Sequence, residues 1–398
     1  MGPLKGIKVL DLSRILAGPW ATQLLADYGA TVWKIERPGV GDDTRHWGPP
    51  FLKDSESADT AESAYYLSTN RGKHSIAVDI TSEVGQAVIR RLVARADILV
   101  ENFKVGGLAK YGLDYPSLCV DNPDLIYCSI TGFGQTGPDA GQAGYDAMVQ
   151  ARGGLMSITG ERDGLPGAGP QKVGVAVADL MAGMYAVSAI LAALHHRDQT
   201  GEGQQIDLGL LDSQVAWLAN QGMNYLIGGE APVRQGTAHP NIVPYQALPT
   251  RDGFLMLAVG NDRQFAACCR VLGRPALAED SRFTSNRLRV EYREQLIPLL
   301  EGLFRRKTTA EWAGLLAAEQ VPCGPINDIA EVFEDPQVLA RGMRLELPHP
   351  LAGTVPQVAN PVKFSRTPIE YQGAPPLLGA DTEAVLRALS DEEVPGEF

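Results

Sequence analysis

Ile7-Lys-Val-Leu-Asp-Leu12 and Thr31-Val-Trp-Lys-Ile-Glu36 decide the fold. The first reads as a buried strand and the second as the next strand. Between them, Pro19 to Tyr28 reads as a helix, with proline near its start and Gly29 just past its end. Thr81 opens a second helical pattern, in which Val84, Val88 and Leu92 recur at helical spacing beside Ile89 and Val93. Asp97–Glu101, Asp124–Thr131 and Gln205–Leu210 are further strands. Strands alternating with helices predict an α/β fold: a doubly wound, Rossmann-like parallel sheet.

After Gly229 the texture changes. Tyr245 to Ala258 reads as a hairpin turning at Asp252-Gly253. Helical segments follow at 262–272, 290–305 and 309–319, and a last one begins near Asp381. The predicted organisation is a large α/β domain over 1–204, completed by 351–398. A linker over 205–229 leads to a small α+β domain over 230–325, and 326–350 forms a second linker.

The chain has 398 residues, a net charge of −12 and 44% hydrophobic content. That acidity argues against a nucleic-acid partner, which usually requires a basic face. Any polyanionic ligand must be met locally by a few Lys/Arg side chains and backbone N–H groups. Cys119, Cys128, Cys268, Cys269 and Cys323 form no Cys-x-x-Cys pair, and the six histidines have no zinc-ligand spacing, so neither a disulfide framework nor a metal site is expected. With no signal-like start, the expected compartment is the cytoplasm, or the mitochondrial matrix after removal of a transit segment.

The run Gly174–Leu194 is apolar or small on nearly every face, and Asp179 is its one charge. The run is long enough to suggest a membrane span, but its Gly/Ala content and the carboxylate favour a helix buried in a large core. A carboxylate removed from water costs several kcal/mol unless it is compensated. Asp179 therefore has either a structural partner or a chemical role.

Gly132-Phe-Gly-Gln-Thr-Gly137 matches the dinucleotide pattern G-x-G-x-x-G, but Pro138 and a polar stretch follow where a helix is required. A glycine loop approaching some other ligand fits better than NAD binding. Arg37, Arg71, Lys73 and Lys110 lie near strand ends, where doubly wound sheets bind ligands. As a set they suit a nucleotide diphosphate; singly, each reads as a solvated charge.

Together these segments resemble the class III coenzyme A transferases. The resemblance rests on Val9-Leu-Asp-Leu-Ser13, Leu16-Ala-Gly-Pro19, Lys34-Ile-Glu-Arg-Pro-Gly39, Asn70-Arg-Gly-Lys73, Val100-Glu-Asn-Phe103, Ala178-Asp-Leu180 and Thr200-Gly-Glu-Gly-Gln204. Pro322-Cys-Gly-Pro325 and Pro375-Pro-Leu-Leu-Gly379 also match. Gly41 to Pro50 and Gly236 to Gln246 are similar to the dicarboxylate branch of succinyl-CoA:glutarate type. The glycine-only loop of the formyl-CoA enzymes is missing, which makes oxalate and formyl-CoA unexpected substrates.

The resemblance implies Asp179 as the catalytic carboxylate. It implies CoA contacts from Leu16, Ala17, Arg37, Lys73, Asn102, Phe103, Lys110, Tyr145 and Asp146. Lys110 stands where formyl-CoA transferases have arginine, which keeps the charge and loses the bidentate fork. A free distal carboxylate would call for an arginine, with Arg71 the first candidate and Arg45 the second. The resemblance further implies acyl-CoA and a dicarboxylic acid as substrates, no tightly bound cofactor, and an interlocked homodimer.

Tyr145 separates two chemistries. The family's 2-methylacyl-CoA racemases place histidine there to exchange the α-proton, and a tyrosine with pKa near 10 is a poor base at neutral pH. A transferase is expected, with the racemase as the alternative. A non-catalytic nucleotide-binding protein is the reading from another class.

Overall fold

The computed structural model describes residues 2–390; Met1 and 391–398, the ends of the predicted large domain, lie outside them. The chain divides into two compact units. One comprises Met1–Leu155, Val173–Leu226 and Pro336–Phe398; the other comprises Met156–Lys172 and Ile227–Asp335.

The first unit is built on six strands: β1 (Lys8–Asp11), β2 (Thr31–Glu36), β3 (Lys73–Ala77), β4 (Ile98–Glu101), β5 (Ile126–Thr131) and β6 (Gln204–Gly209). They run parallel in the order β3-β2-β1-β4-β5-β6. The order reverses between β1 and β4, so the crevice for a ligand lies at the carboxyl ends of these strands. β3 is absent from the sequence-based expectation: Lys-His-Ser-Ile-Ala has no apolar run. Its buried Lys73 and Ser75 are stabilised by ion pairing and hydrogen bonding instead.

Two hydrophobic clusters flank the sheet. On one face, Ala21, Leu24 and Leu25 of the Ala17–Asp27 helix meet Ala182, Ala186 and Ile190 of the Val177–Thr200 helix. Burying each such leucine or isoleucine side chain contributes roughly 1.5–3 kcal/mol. Gly183 permits this approach, because a Cβ there would meet the Ala17 carbonyl at 2.8 Å. By length and composition the Val177–Thr200 helix would suffice to cross a membrane. Half of its most apolar stretch is buried inside the protein. On the other face, Ile89, Leu92 and Val93 of the Glu83–Val93 helix pack with Val385 and Leu389 of the Thr382–Ser390 helix.

The helix after β6, Leu210–Ala216, is capped without a side chain, at Gly209, and Ser213 is inside it. The Ser213 hydroxyl donates back to the Gly209 carbonyl at 2.9 Å.

In the second unit, Tyr245–Pro249 and Phe254–Ala258 form the expected antiparallel hairpin, and Cys323–Pro325 adds a third strand. Phe265, Phe283, Phe304 and Trp312 form its core with the Asp262–Val271, Arg293–Phe304 and Thr309–Ala318 helices. Residues 156–172 belong to this unit, although they precede the predicted small domain. The Gly160 carbonyl accepts from Gly236 N–H at 3.1 Å, and Arg234 reaches the Glu161 carbonyl.

Candidate active site

A cavity of about 570 Å³ opens at the carboxyl ends of the strands in the first unit. Leu12 and residues 14–17 wall it after β1, Asn102–Val105 after β4, and Thr131-Gly132 at the end of β5. Asp179 reaches it from the first turn of the Val177–Thr200 helix. The glycine loop after β5 passes at close range: a Cβ on Gly132 would stand 2.5 Å from the Gly144 Cα. Two chain segments cross there with no room for a side chain, which explains part of the pattern that mimics a dinucleotide fingerprint.

Asp179 makes no ion pair among the described residues. Burial, and then the negative charge of Asp146, push its carboxyl up to about 7. The group therefore titrates near neutrality, and its place in the first helical turn favours the carboxylate form. Tyr65 lies within the same field: burial, and then the charges of Asp179 and Asp146, push its phenol up to about 12.

Asp146 sits one step behind Asp179. The Val177–Thr200 helix has no side-chain cap of its own. Asp146 supplies one, accepting the Ala178 N–H at 2.8 Å through Oδ1. Its Oδ2 accepts from Gln150 Nε2 at 2.7 Å, and Gln150 Oε1 accepts the Val173 N–H at 2.9 Å. The buried Gln150 thereby ties the Asp146–Arg152 helix to the segment leading into Asp179.

Four exposed cations lie along the cavity, beside the carboxylates of Asp43 and Asp79. Arg14, Arg37, Lys104 and Lys110 all line the cavity and all are exposed. Arg14 pairs with Asp43 at 2.8 Å and lies over the Phe103 ring at 5.6 Å. Arg37, Lys104 and Lys110 form no ion pair among the described residues. A chain of net charge −12 thus carries a local cationic rim, the arrangement that attracts a polyanion.

A family profile described as CoA-transferase family III matches residues 4–382. The chain belongs to CoA-transferase family III. It is 53% identical over 391 residues to the succinate–glutarate CoA-transferase of Agrobacterium fabrum, covering 98% of this chain and 96% of that one. It is 46% identical over 398 residues to the succinyl-CoA:glutarate CoA-transferase of Homo sapiens, covering 100% of this chain and 88% of that one. A solved CAIB/BAIF family protein from Brucella suis superposes with a TM-score of 0.85 at 49% identity, covering 98% of this chain and 99% of that one.

In this CoA-transferase, Asp179, Leu16, Ala17, Arg37, Asn102, Phe103, Lys110 and Tyr145 come together around one cavity. Asn102 lines it, but its side-chain amide is occupied by Arg14: Oδ1 accepts the Arg14 N–H at 2.9 Å and Nδ2 donates to the Arg14 carbonyl at 2.7 Å.

Four expected contacts fall elsewhere. Lys73 is fully enclosed, donating to Asp11, Asn70 and the Pro19 carbonyl. Asp146 caps the Asp179 helix and does not line the cavity. Arg71 places both arms of its guanidinium on Asp27, at 2.9 and 2.6 Å, with a third bond to the Val358 carbonyl. Arg45 is held by Glu36 and Glu62 above the Tyr66 ring. Both arginines are buried and already satisfied, so neither presents a fork to a substrate carboxylate.

Arg14, Lys104 and Thr131 are lining residues that sequence reasoning missed. Arg14 and Lys104 each follow the carboxyl end of a central strand, a signal that was available. Thr131 lines the cavity, its buried hydroxyl has no hydrogen-bond partner among the described residues, and nothing in the sequence distinguishes it.

Proposed function

We propose that this chain transfers CoA from an acyl-CoA donor, succinyl-CoA being the first choice, to a free dicarboxylic acid such as glutarate or itaconate. The observation that carries this reading is Asp179: an unpaired carboxylate, poised near neutrality, in a cavity with a cationic rim. The substrate assignment follows the names of the Agrobacterium and human relatives.

The Asp179 carboxylate attacks the thioester carbonyl of the donor, forming an aspartyl–acyl anhydride and releasing CoA thiolate. The thiolate attacks the aspartyl carbonyl, giving an aspartyl-CoA thioester and the free donor acid, which leaves with one oxygen of Asp179. The acceptor carboxylate attacks that thioester, again forming an anhydride and thiolate. The thiolate then attacks the acceptor's carbonyl, releasing the new acyl-CoA and restoring Asp179 with one oxygen from the acceptor. No tightly bound cofactor is required, because the carboxylate itself carries the covalent chemistry.

Water would hydrolyse every intermediate, and the apolar helix around Asp179 opposes its entry. Arg14, Arg37, Lys104 and Lys110 would meet the phosphates of CoA, and Phe103 a flat part of the ligand. The Ala178 cap from Asp146 holds the nucleophile's helix in place.

A homodimer is part of this proposal. Met223, Tyr225 and Leu226 on the Ala219–Gly228 helix, and Met184, Tyr185 and Leu191 on the Asp179 helix, expose apolar side chains that a second copy would cover. Sedimentation of the purified protein reads this directly, with a monomer at micromolar concentration as the contrary result. The proposed compartment is the cytoplasm, where the five free cysteines stay reduced.

Mass spectrometry of CoA exchange tests the function. Incubation with succinyl-CoA and a panel of acids should yield new dicarboxyl-CoA esters, and Asp179→Ala should yield none. Absence of exchange, with deuterium uptake into 2-methylacyl-CoA, would overturn the reading in favour of a racemase.

A further inference from the structure

Ile15 stands on the cavity wall with φ of +72°, a left-handed backbone that β-branched residues rarely adopt. The conformation disfavours such a residue by about tenfold in population, so the surroundings must impose it. Its neighbours show how. Asp11 accepts the Ser13 N–H at 2.9 Å, and Lys34 Nζ donates to the Ser13 carbonyl at 3.1 Å. Asn102 holds both backbone groups of Arg14. Both Asp42 oxygens lie 3.2 Å from the Ile15 nitrogen.

Asp42 is itself fixed. It is 2% exposed and pairs with the fully buried Lys34 at 2.9 Å. Its Oδ1 accepts from the Thr44 N–H at 3.0 Å and the Thr44 hydroxyl at 2.8 Å. Lys34 thus holds Asp42 and the Ser13 carbonyl with one ammonium group. Although burial opposes ionisation, the Lys34 charge and these bonds bring the Asp42 carboxyl down to about 2, so it is an anion at every working pH. A simple buried ion pair would be replaceable by apolar residues. This one has its acceptor face turned to a strained residue of the cavity wall.

We propose that Asp42, held by Lys34, is a positioning residue that locks Ile15 in its left-handed conformation and thereby sets the Ser13–Ala17 backbone facing Asp179. The role deepens the transferase reading given above and rests on it for its kinetic consequence; the loop order itself does not.

Asp42→Asn tests this. The amide keeps one oxygen for Thr44 and loses the anionic acceptor for Ile15. Two readouts are taken on the full-length protein: hydrogen exchange in peptides covering 12–20, and kcat for CoA exchange. The amides should exchange about tenfold faster and kcat should fall by about tenfold or more, matching the population penalty of the left-handed residue. Adding Ile15→Gly removes that penalty. The double variant should recover most of the lost kcat while its thermal midpoint stays at the single variant's value, a split that a purely structural role would not give.

Unchanged exchange in Asp42→Asn, or a double variant no faster than the single one, would overturn the proposal. If Asp42→Asn does not fold, Thr44→Val loosens the same carboxylate: faster exchange over 12–20 supports the role, and wild-type exchange overturns it. Absence of CoA transfer by the wild type would refute the transferase reading alone, since hydrogen exchange reads the loop independently.

Discussion

Asp146 accepts the backbone N–H of Ala178 at 2.8 Å, one residue before Asp179. A single carboxylate therefore both caps the helix that carries the proposed nucleophile and raises that nucleophile's pKa by its charge. The two effects separate by mutation, because an amide keeps the cap and removes the charge.

The first prediction concerns pH and rate. With Asp179 pushed up to about 7, kcat/KM for acyl-CoA should rise with pH as one group ionises and level off above that value. Asp146→Asn removes the like charge, so the acid limb should move to lower pH by about half a unit or more. Initial rates across pH 5 to 9 would check it; a limb that stays in place or moves upward contradicts the account.

Stability should follow the same group in the opposite sense. Folded Asp179 keeps its proton between about pH 4 and 7, a range in which the unfolded chain has released it. Folding stability therefore falls as pH rises through that window. Asp179→Asn removes the penalty, so the variant should melt several degrees above wild type at pH 8 and together with it at pH 4. Calorimetry at both pH values decides the point.

Arg71→Ala and Lys73→Ala should act on folding. Each leaves a buried carboxylate, Asp27 or Asp11, without its cation, at a cost of about 3–5 kcal/mol. Urea unfolding would show this as a lower midpoint. A stable Arg71→Ala protein whose KM for the dicarboxylate alone has risen would return Arg71 to the substrate site.

Arg14→Ala and Lys104→Ala should each raise KM for acyl-CoA by about tenfold, the equivalent of about 1.4 kcal/mol, with a much smaller change in kcat. Added salt should narrow the difference from wild type, because both side chains are exposed. Equal KM values would remove them from the CoA contact set.

Why some of this was legible and some was not follows from particular residues. Thr31–Glu36 coincides with its predicted strand because the buried Val32, Trp33 and Ile35 leave an apolar signal in the chain despite Lys34 and Glu36. The Asp179 helix was readable for the same reason, its lone carboxylate standing out among small apolar residues. β3 was not, because Lys73 and Ser75 are buried through polar partners distant in sequence, Asp11 and Glu36. Arg71 and Arg45 were illegible on the same ground: an arginine near a strand end looks alike whether it faces a ligand or an acid elsewhere in the fold. Asp27 and Glu62 are those acids, and only the folded chain reveals them. The strain at Ile15 had no sequence signature at all.

The central claim is that Asp179 exchanges an oxygen with its substrates. Enzyme is turned over with unlabelled succinyl-CoA and an acceptor acid labelled in its carboxylates with oxygen-18, then digested and analysed by mass spectrometry. The account predicts that the peptide containing Asp179 carries one oxygen-18 atom after a single turnover and up to two after many. Efficient CoA transfer with that peptide unlabelled would contradict it.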